Sequence, residues 1–337
     1  MQFIFNKKRF FKYLLISLII MILIISSWVA LYFKSFEVED FSLGVDFSVM
    51  QTNELGLDVG ETYLAILDEL KPKKLRLSAQ WDLIQADKYE YDYELLDWLL
   101  TEAQARNVEV ILAVGRRTPR WPECHDPAWL ENMPEEMMTD QLFKYIRKTI
   151  EHYKSYDNII MWQVENEPLL NSFGECPNAD YALLRKEIAF VKTLDTRPVL
   201  VTDSGELGLW LKASSAGDYF GTTMYRVVYN PILGYIYYHL PPLFYRLKAK
   251  IVDVDLSKAI ISELQAEPWA QYGLKNSSVS EQLKSMDSNR LVSHIEYAKR
   301  TGFSEAYLWG AEWWYWLKKN HNDESFWEVA KIYFERY

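Results

Sequence analysis

The sequence predicts a (β/α)8 TIM barrel preceded by one N-terminal transmembrane helix, and three observations carry that prediction. Eight short apolar runs alternate with stretches of helical periodicity from residue 42 to the C-terminus, the pattern of parallel strands each followed by a helix. Runs such as 108–114 (VEVILAV) and 197–202 (RPVLVT) are apolar almost throughout, as strands covered on both faces must be. Residues 13–33 (YLLISLIIMILIISSWVALYF) carry no charge over 21 positions. As a helix such a stretch is ~31 Å long, enough to cross a bilayer core. A doubly wound sheet would also alternate strands and helices, but it needs a Gly-rich phosphate turn, and no GxGxxG occurs.

Taken in chain order, residues 1–12 form a basic tail with Lys7, Lys8, Arg9 and Lys12 and no acid. Basic residues stay on the cytoplasmic side, so the tail is expected inside the cell membrane and everything after residue 34 outside it, on a single-pass anchor. A cleaved signal peptide competes with an uncleaved anchor. Its apolar region would be shorter, and no clear Ala-x-Ala site follows. An acidic linker, 34–41 (KSFEVEDF), leads into one barrel domain, 42–337, with no further linker to divide it.

The strands are expected to begin at Leu43, Lys74, Val108, Asn158, Pro198, Tyr219, Ala259 and Ala306. Helical periodicity occupies 61–70, 92–106, 137–153, 180–195, 280–300 and 323–335. The segment 229–256 (YNPILGYIYYHLPPLFYRLKAKIVDVDL) reads as a helix broken at Pro241-Pro242 with its aromatics on the barrel. A lid over the site, or a membrane-touching surface, is the alternative reading.

Composition excludes several functions. Net charge is −10, and without the tail 33 basic residues face 47 acidic ones, a domain that repels nucleic-acid phosphates. The five histidines are scattered without HExxH or other ligand spacing, so neither a metal nor a cofactor is expected. Cys124 and Cys176 fall in loops that could share one face. Outside the cytoplasm a disulfide between them and two free thiols both stay open.

Chemistry in such a barrel sits at the C-terminal ends of the strands. There the sequence delivers Arg76, Gln80 and Trp81, then GRRTPRWPE (115–123), Asn166-Glu167-Pro168, Asp203 and Glu206, Tyr225, Glu263 with Gln265 and Glu267, and Trp309 with Glu312. This set is rich in carboxylates, amides and indoles, and no GxSxG nucleophile turn occurs. Two carboxylates facing each other across a cleft are what glycosidic cleavage requires, one to protonate the leaving oxygen and one to attack or to activate water. Indole faces suit the apolar face of a sugar ring, while Arg and amides suit its hydroxyls.

These stretches resemble the clan A glycoside hydrolases, which are retaining (β/α)8 enzymes. Asn166-Glu167-Pro168 after the apolar fourth strand resembles their Asn-Glu-Pro motif. IISELQAEPW with Glu263 resembles their nucleophile strand, and YLWGAEWWYW their eighth strand. The likeness runs in order and spacing from about residue 41 to 337. It implies Glu167 as general acid/base and Glu263 as nucleophile. It further implies Asn166 on the sugar 2-hydroxyl, Arg76 and Tyr225 donating to Glu263, and Trp309 as sugar platform. Trp81 completes the expected substrate-binding set, and Glu312 fits either sugar hydroxyls or a solvated position. Glu165 competes with Glu167 and reads as strand-embedded; Glu267 competes with Glu263 and reads as a loop residue of the outer cleft.

The likeness has departures. Many members carry a histidine near the end of strand three, where this chain has Arg116 and Arg117. The motifs lean toward the cellulase-like family 5 and the β-galactosidase-like family 42 branches. The implied activity is a membrane-anchored retaining β-glycosidase with an oligo- or polysaccharide substrate. A catalytically silent glycan-binding barrel, and a transglycosidase using the same two glutamates, are the competing expectations.

Overall fold

A computed structural model describes residues 7–337, so residues 1–6 of the expected tail lie outside the described range. Helix α1 (Lys7–Phe33) takes in the rest of the tail and the expected span. Its Phe10–Leu31 segment has a mean hydropathy of 2.8 and none of it is buried against the fold.

The strands are β1 (Ser42–Asp46), β2 (Lys74–Ser78), β3 (Glu109–Val114), β4 (Ile159–Val164) and β5 (Val199–Asp203). They continue with β6 (Tyr219–Met224), β7 (Val227–Asn230), β8 (Gly234–Tyr237), β9 (Ala259–Gln265) and β10 (Glu305–Trp309). All but β7 and β8 close into a parallel barrel in the order β1-β10-β9-β6-β5-β4-β3-β2, as the alternation of runs predicts. The surrounding helices are α2 (Val49–Glu54), α3 (Val59–Ala65), α4 (Trp81–Ile84), α5 (Glu94–Ala105), α6 (Glu135–Tyr153) and α7 (Tyr181–Leu194). After the hairpin come α8 (Pro242–Ile251), α9 (Val279–Gln282), α10 (Ser288–Lys299), α11 (Ala311–His321) and α12 (Ser325–Arg336).

The core lies between strands and helices. Helix α5 buries Leu96, Leu99, Leu100 and Ala103, one face at helical spacing, and α10 buries Leu291, Ile295 and Ala298 in the same way. Each large apolar side chain so covered contributes ~1.5–3 kcal/mol. His294 sits in the α10 stripe as a satisfied core residue: its Nδ1 lies 2.8 Å from the Gln265 carbonyl, and burial lowers its pKa to about 3.

Two segments differ from expectation. The periodicity of 280–300 divides into α9 and α10, because Asp287 adopts extended backbone and caps α10 through its carboxylate on the Arg290 N–H. The segment after β6 is not a broken helix. Val227–Asn230 and Gly234–Tyr237 form the antiparallel β7–β8 hairpin, and only from Pro242 onward is the chain helical. Asn230 makes the turn by accepting from the Ile232 and Leu233 N–H groups with its side chain, a local bond that competes with helix.

Candidate active site

A cavity of about 1020 Å³ opens at the C-terminal ends of the strands, and both candidate glutamates line it. Glu263 leaves the buried β9 with its carboxylate between two donors. Arg76 Nη2 donates to Oε1 at 2.6 Å, and the Tyr225 hydroxyl donates to Oε2 at 2.9 Å. Arg76 is itself fixed: its Nε bonds Asp46, its register partner across β1 and β2, and its Nη1 donates to Gln163 Oε1 at 3.1 Å. A buried guanidinium requires such partners, since an unpaired charge there would cost several kcal/mol. The sequence reading missed Asp46 and Gln163; their signal was a polar residue near the end of an otherwise apolar run.

Glu167 stands just past β4, where the backbone turns to φ 42. Its N–H donates to Thr202 Oγ1, and its Oε1 accepts from Thr223 Oγ1 at 3.0 Å. Thr223 pairs with Glu263 in the β6–β9 register, so one residue links the two carboxylates across adjacent strands. Burial first, then the charges of Glu263 and Glu123, push the Glu167 carboxyl well above the ordinary range. Glu263 is thus gripped by two donors, while the Glu167 carboxyl is favoured in its neutral form.

A third carboxylate, Glu123, enters the same cavity from the β3 loop. It accepts from Asn166 Nδ2 at 2.9 Å, and burial, with the charge of Glu263, raises its pKa to about 7. This alters the place expected for Asn166. Its amide is buried and engaged, with Oδ1 accepting from Gln163 Nε2 at 3.1 Å, and it positions Glu123 instead of lining the cavity.

Trp309 does line the cavity, but its ring is not bare. The Arg120 guanidinium lies over it, 4.2 Å from the centroid, and Glu267 Oε1 accepts both from Arg120 Nη1 at 2.6 Å and from Trp309 Nε1 at 2.9 Å. Glu267 is thus an inner residue, not one of the outer cleft. Gly310 makes room for it, since a Cβ there would lie 2.6 Å from the Glu267 Cβ. Trp81 is a correction: it is buried against Tyr145 at 5.3 Å, gives its N–H to Gln85, and lines no part of the cavity. Glu312 is a second correction, neither solvated nor on the wall; it is buried in the first turn of α11 and accepts from the Ser48 N–H. Glu165 falls past the end of β4 and accepts from the Arg116 and Arg117 N–H groups, both at 2.7 Å. It holds the β3 loop in place, as a structural residue should. Arg120, Glu123, Glu165 and Glu167 all have positive φ, a concentration of strained backbone at the cavity rim.

The β3 and β4 loops are tied by a Cys124–Cys176 disulfide, with Cα atoms 5.3 Å apart. It closes a loop over a sequence separation of 52 and joins the segments bearing Trp121 and Phe173, whose rings meet at 5.5 Å on the cavity wall. Removing a disulfide of that loop length costs ~2–4 kcal/mol. The Cys124→Ser/Cys176→Ser double variant is expected to unfold several degrees lower in a thermal melt. An unchanged melting temperature would show that the bond constrains nothing.

No protein-family model matches the chain, and no curated protein matches it. Solved structures do. Xylanase 10B of Thermotoga petrophila, in complex with xylobiose, superposes with a TM-score of 0.57 at 16% identity, over 88% of this chain and 94% of that one. A GH5_18 protein of Streptomyces cattleya, in complex with GlcNAc, matches with a TM-score of 0.54 at 12% identity, over 80% of this chain and 70% of that one. A GH2 β-galacturonidase of Eisenbergiella tayi, bound to galacturonate, matches at 0.51 and 13%, over 90% of this chain and 52% of that one. What the chain shares with these proteins is their architecture: it has the (β/α)8 fold of the clan A glycoside hydrolases that its motifs resemble.

Proposed function

We propose that the chain is a membrane-anchored retaining β-glycosidase acting on an oligo- or polysaccharide outside the cytoplasm. The observation that carries this reading is the division of labour in one cavity between Glu263, held by Arg76 and Tyr225, and the buried, protonation-prone Glu167. Glu167 gives its proton to the glycosidic oxygen as Glu263 attacks the anomeric carbon, forming a covalent glycosyl-enzyme. Glu167, now a base, takes a proton from water, which attacks the same carbon and releases Glu263. Two inversions return the original configuration. Arg120 and Trp309 together form the floor of the sugar site.

The cavity wall carries six glutamates, at 54, 123, 167, 206, 263 and 267, against Arg120. Arg120, the cation on that wall, is already paired with Glu267, so a uronic acid's carboxylate would find no free partner there among the described residues, which favours neutral sugars. The apolar α1 segment serves as the single-pass anchor, with residues 1–12 cytoplasmic, 34–41 as linker and 42–337 as the catalytic domain. Incubating the full chain with a panel of aryl β-glycosides and following the first-formed product by proton NMR tests the reading. The β-anomer should appear first; the α-anomer appearing first would establish inversion and remove Glu263 as nucleophile.

A further inference from the structure

We propose that the barrel rests on the bilayer by its N-terminal pole, through α8, so that the sugar cavity opens away from the membrane. This rests on the anchor reading above and adds an orientation, and with it a substrate class: water-borne glycans instead of glycolipids of the same membrane. The linker after α1 is bound to the barrel. The Phe36 N–H donates to the Arg300 carbonyl at 3.0 Å, the Arg246 guanidinium lies 4.6 Å over the Phe36 ring, and Lys299 Nζ is 3.4 Å from Glu37. Phe41 then packs on Tyr337 with centroids 5.3 Å apart. Arg300 caps the C-terminus of α10, and helices outside a parallel barrel end where its strands begin. The anchor therefore leaves from the pole opposite the cavity.

At that pole α1 packs against α8. Leu247 and Ile251, one helical turn apart, are 49% and 79% exposed there, with exposed Lys250 beside them. Apolar and basic residues sharing the solvent side of a helix are the composition of an interfacial segment. The bilayer is the occupant that contact with a membrane-length helix supplies. The cavity lies a strand length away, ~20 Å at 3.3 Å per residue. Exposed Ile232 and Leu233 at the β7–β8 tip are the competing docking face, and they would turn the mouth toward the lipid.

The chain's two native cysteines are joined to each other, so an introduced cysteine is the one free thiol for labelling. Leu247→Cys, Ile251→Cys and Ile232→Cys in the full chain, spin-labelled and reconstituted in anionic phospholipid vesicles, report contact with oxygen in the lipid or nickel chelate in the water. Labels at 247 and 251 should favour oxygen and the label at 232 nickel. In the same vesicles an alkyl β-glycoside in the bilayer should be cleaved at least tenfold more slowly than in detergent micelles, because the mouth cannot reach its own membrane. A soluble aryl glycoside should show no such difference. A water-exposed label at 251, or a lipid-exposed one at 232, on vesicle-bound protein overturns the orientation alone. Recovery of the chain in the soluble phase after alkaline extraction removes the anchor itself.

Discussion

Replacing Glu263 by alanine is expected to lower kcat by roughly four orders of magnitude, ~5.4 kcal/mol of transition-state stabilisation. The loss is this large because no other group replaces it in the attack. Glu167 is bonded to Thr223 and favours its neutral form, and Glu123 is held by Asn166. Azide, small and anionic, fits the space the side chain vacates and attacks the anomeric carbon directly. It should restore part of the rate and give an α-glycosyl azide, the product of one displacement in place of two. The measurement is a rate with and without azide together with the configuration of the product. Undiminished turnover in the variant would withdraw Glu263 as nucleophile. Because the Arg76 guanidinium then lacks one of its two carboxylate partners, the variant should also melt at a different temperature, which a parallel melt separates from the chemical effect.

Glu167→Ala gives the second large effect, and its size depends on the substrate. General acid assistance is worth ~10²–10⁴-fold, and only where the leaving group needs a proton. Aryl glycosides with acidic phenols should keep most of their glycosylation rate, while alkyl glycosides and disaccharides should lose it. The pH profile follows from the direction of the shift. The carboxyl is held above the ordinary range, so in the native protein the proton is available at low pH. It is lost as pH rises through that elevated value, and activity falls with it. The variant should lack this basic limb altogether. A limb that persists unchanged in Glu167→Ala would belong to another group, with Glu123, whose pKa is raised to about 7, next in line.

Much of this was legible in the sequence, for reasons that can be traced to particular residues. The barrel follows from burial and period: runs such as 108–114 are apolar because both faces of β3 are covered, and α5 shows its stripe because only one face is. Residues 166–168 stood out because a carboxylate and a proline directly after an apolar run conflict with a continuing strand. The reading failed where side-chain partners lay far apart in the chain. Arg76 and Glu263 are 187 residues apart, and Arg120 and Glu267 are 147 apart. No local pattern records that Arg120 lies over Trp309, or that Asn166 serves Glu123. Trp81 was misplaced for the same reason, since an indole at a strand end looks alike whether it faces sugar or Tyr145. The β7–β8 hairpin was hidden because alternating aromatics in a short segment suit a helix face and a strand almost equally.

By itself, then, the sequence determined the apolar N-terminal helix, the eightfold alternation, and that Glu167 and Glu263 end up at the rim. These depend on local hydrophobic period and on chain breaks, both written in neighbouring residues. Only the tertiary structure decided which groups grip Glu263, which cover Trp309, and what surrounds Glu167. Those are contacts made when the barrel closes, and their strength comes from burial that no isolated segment possesses.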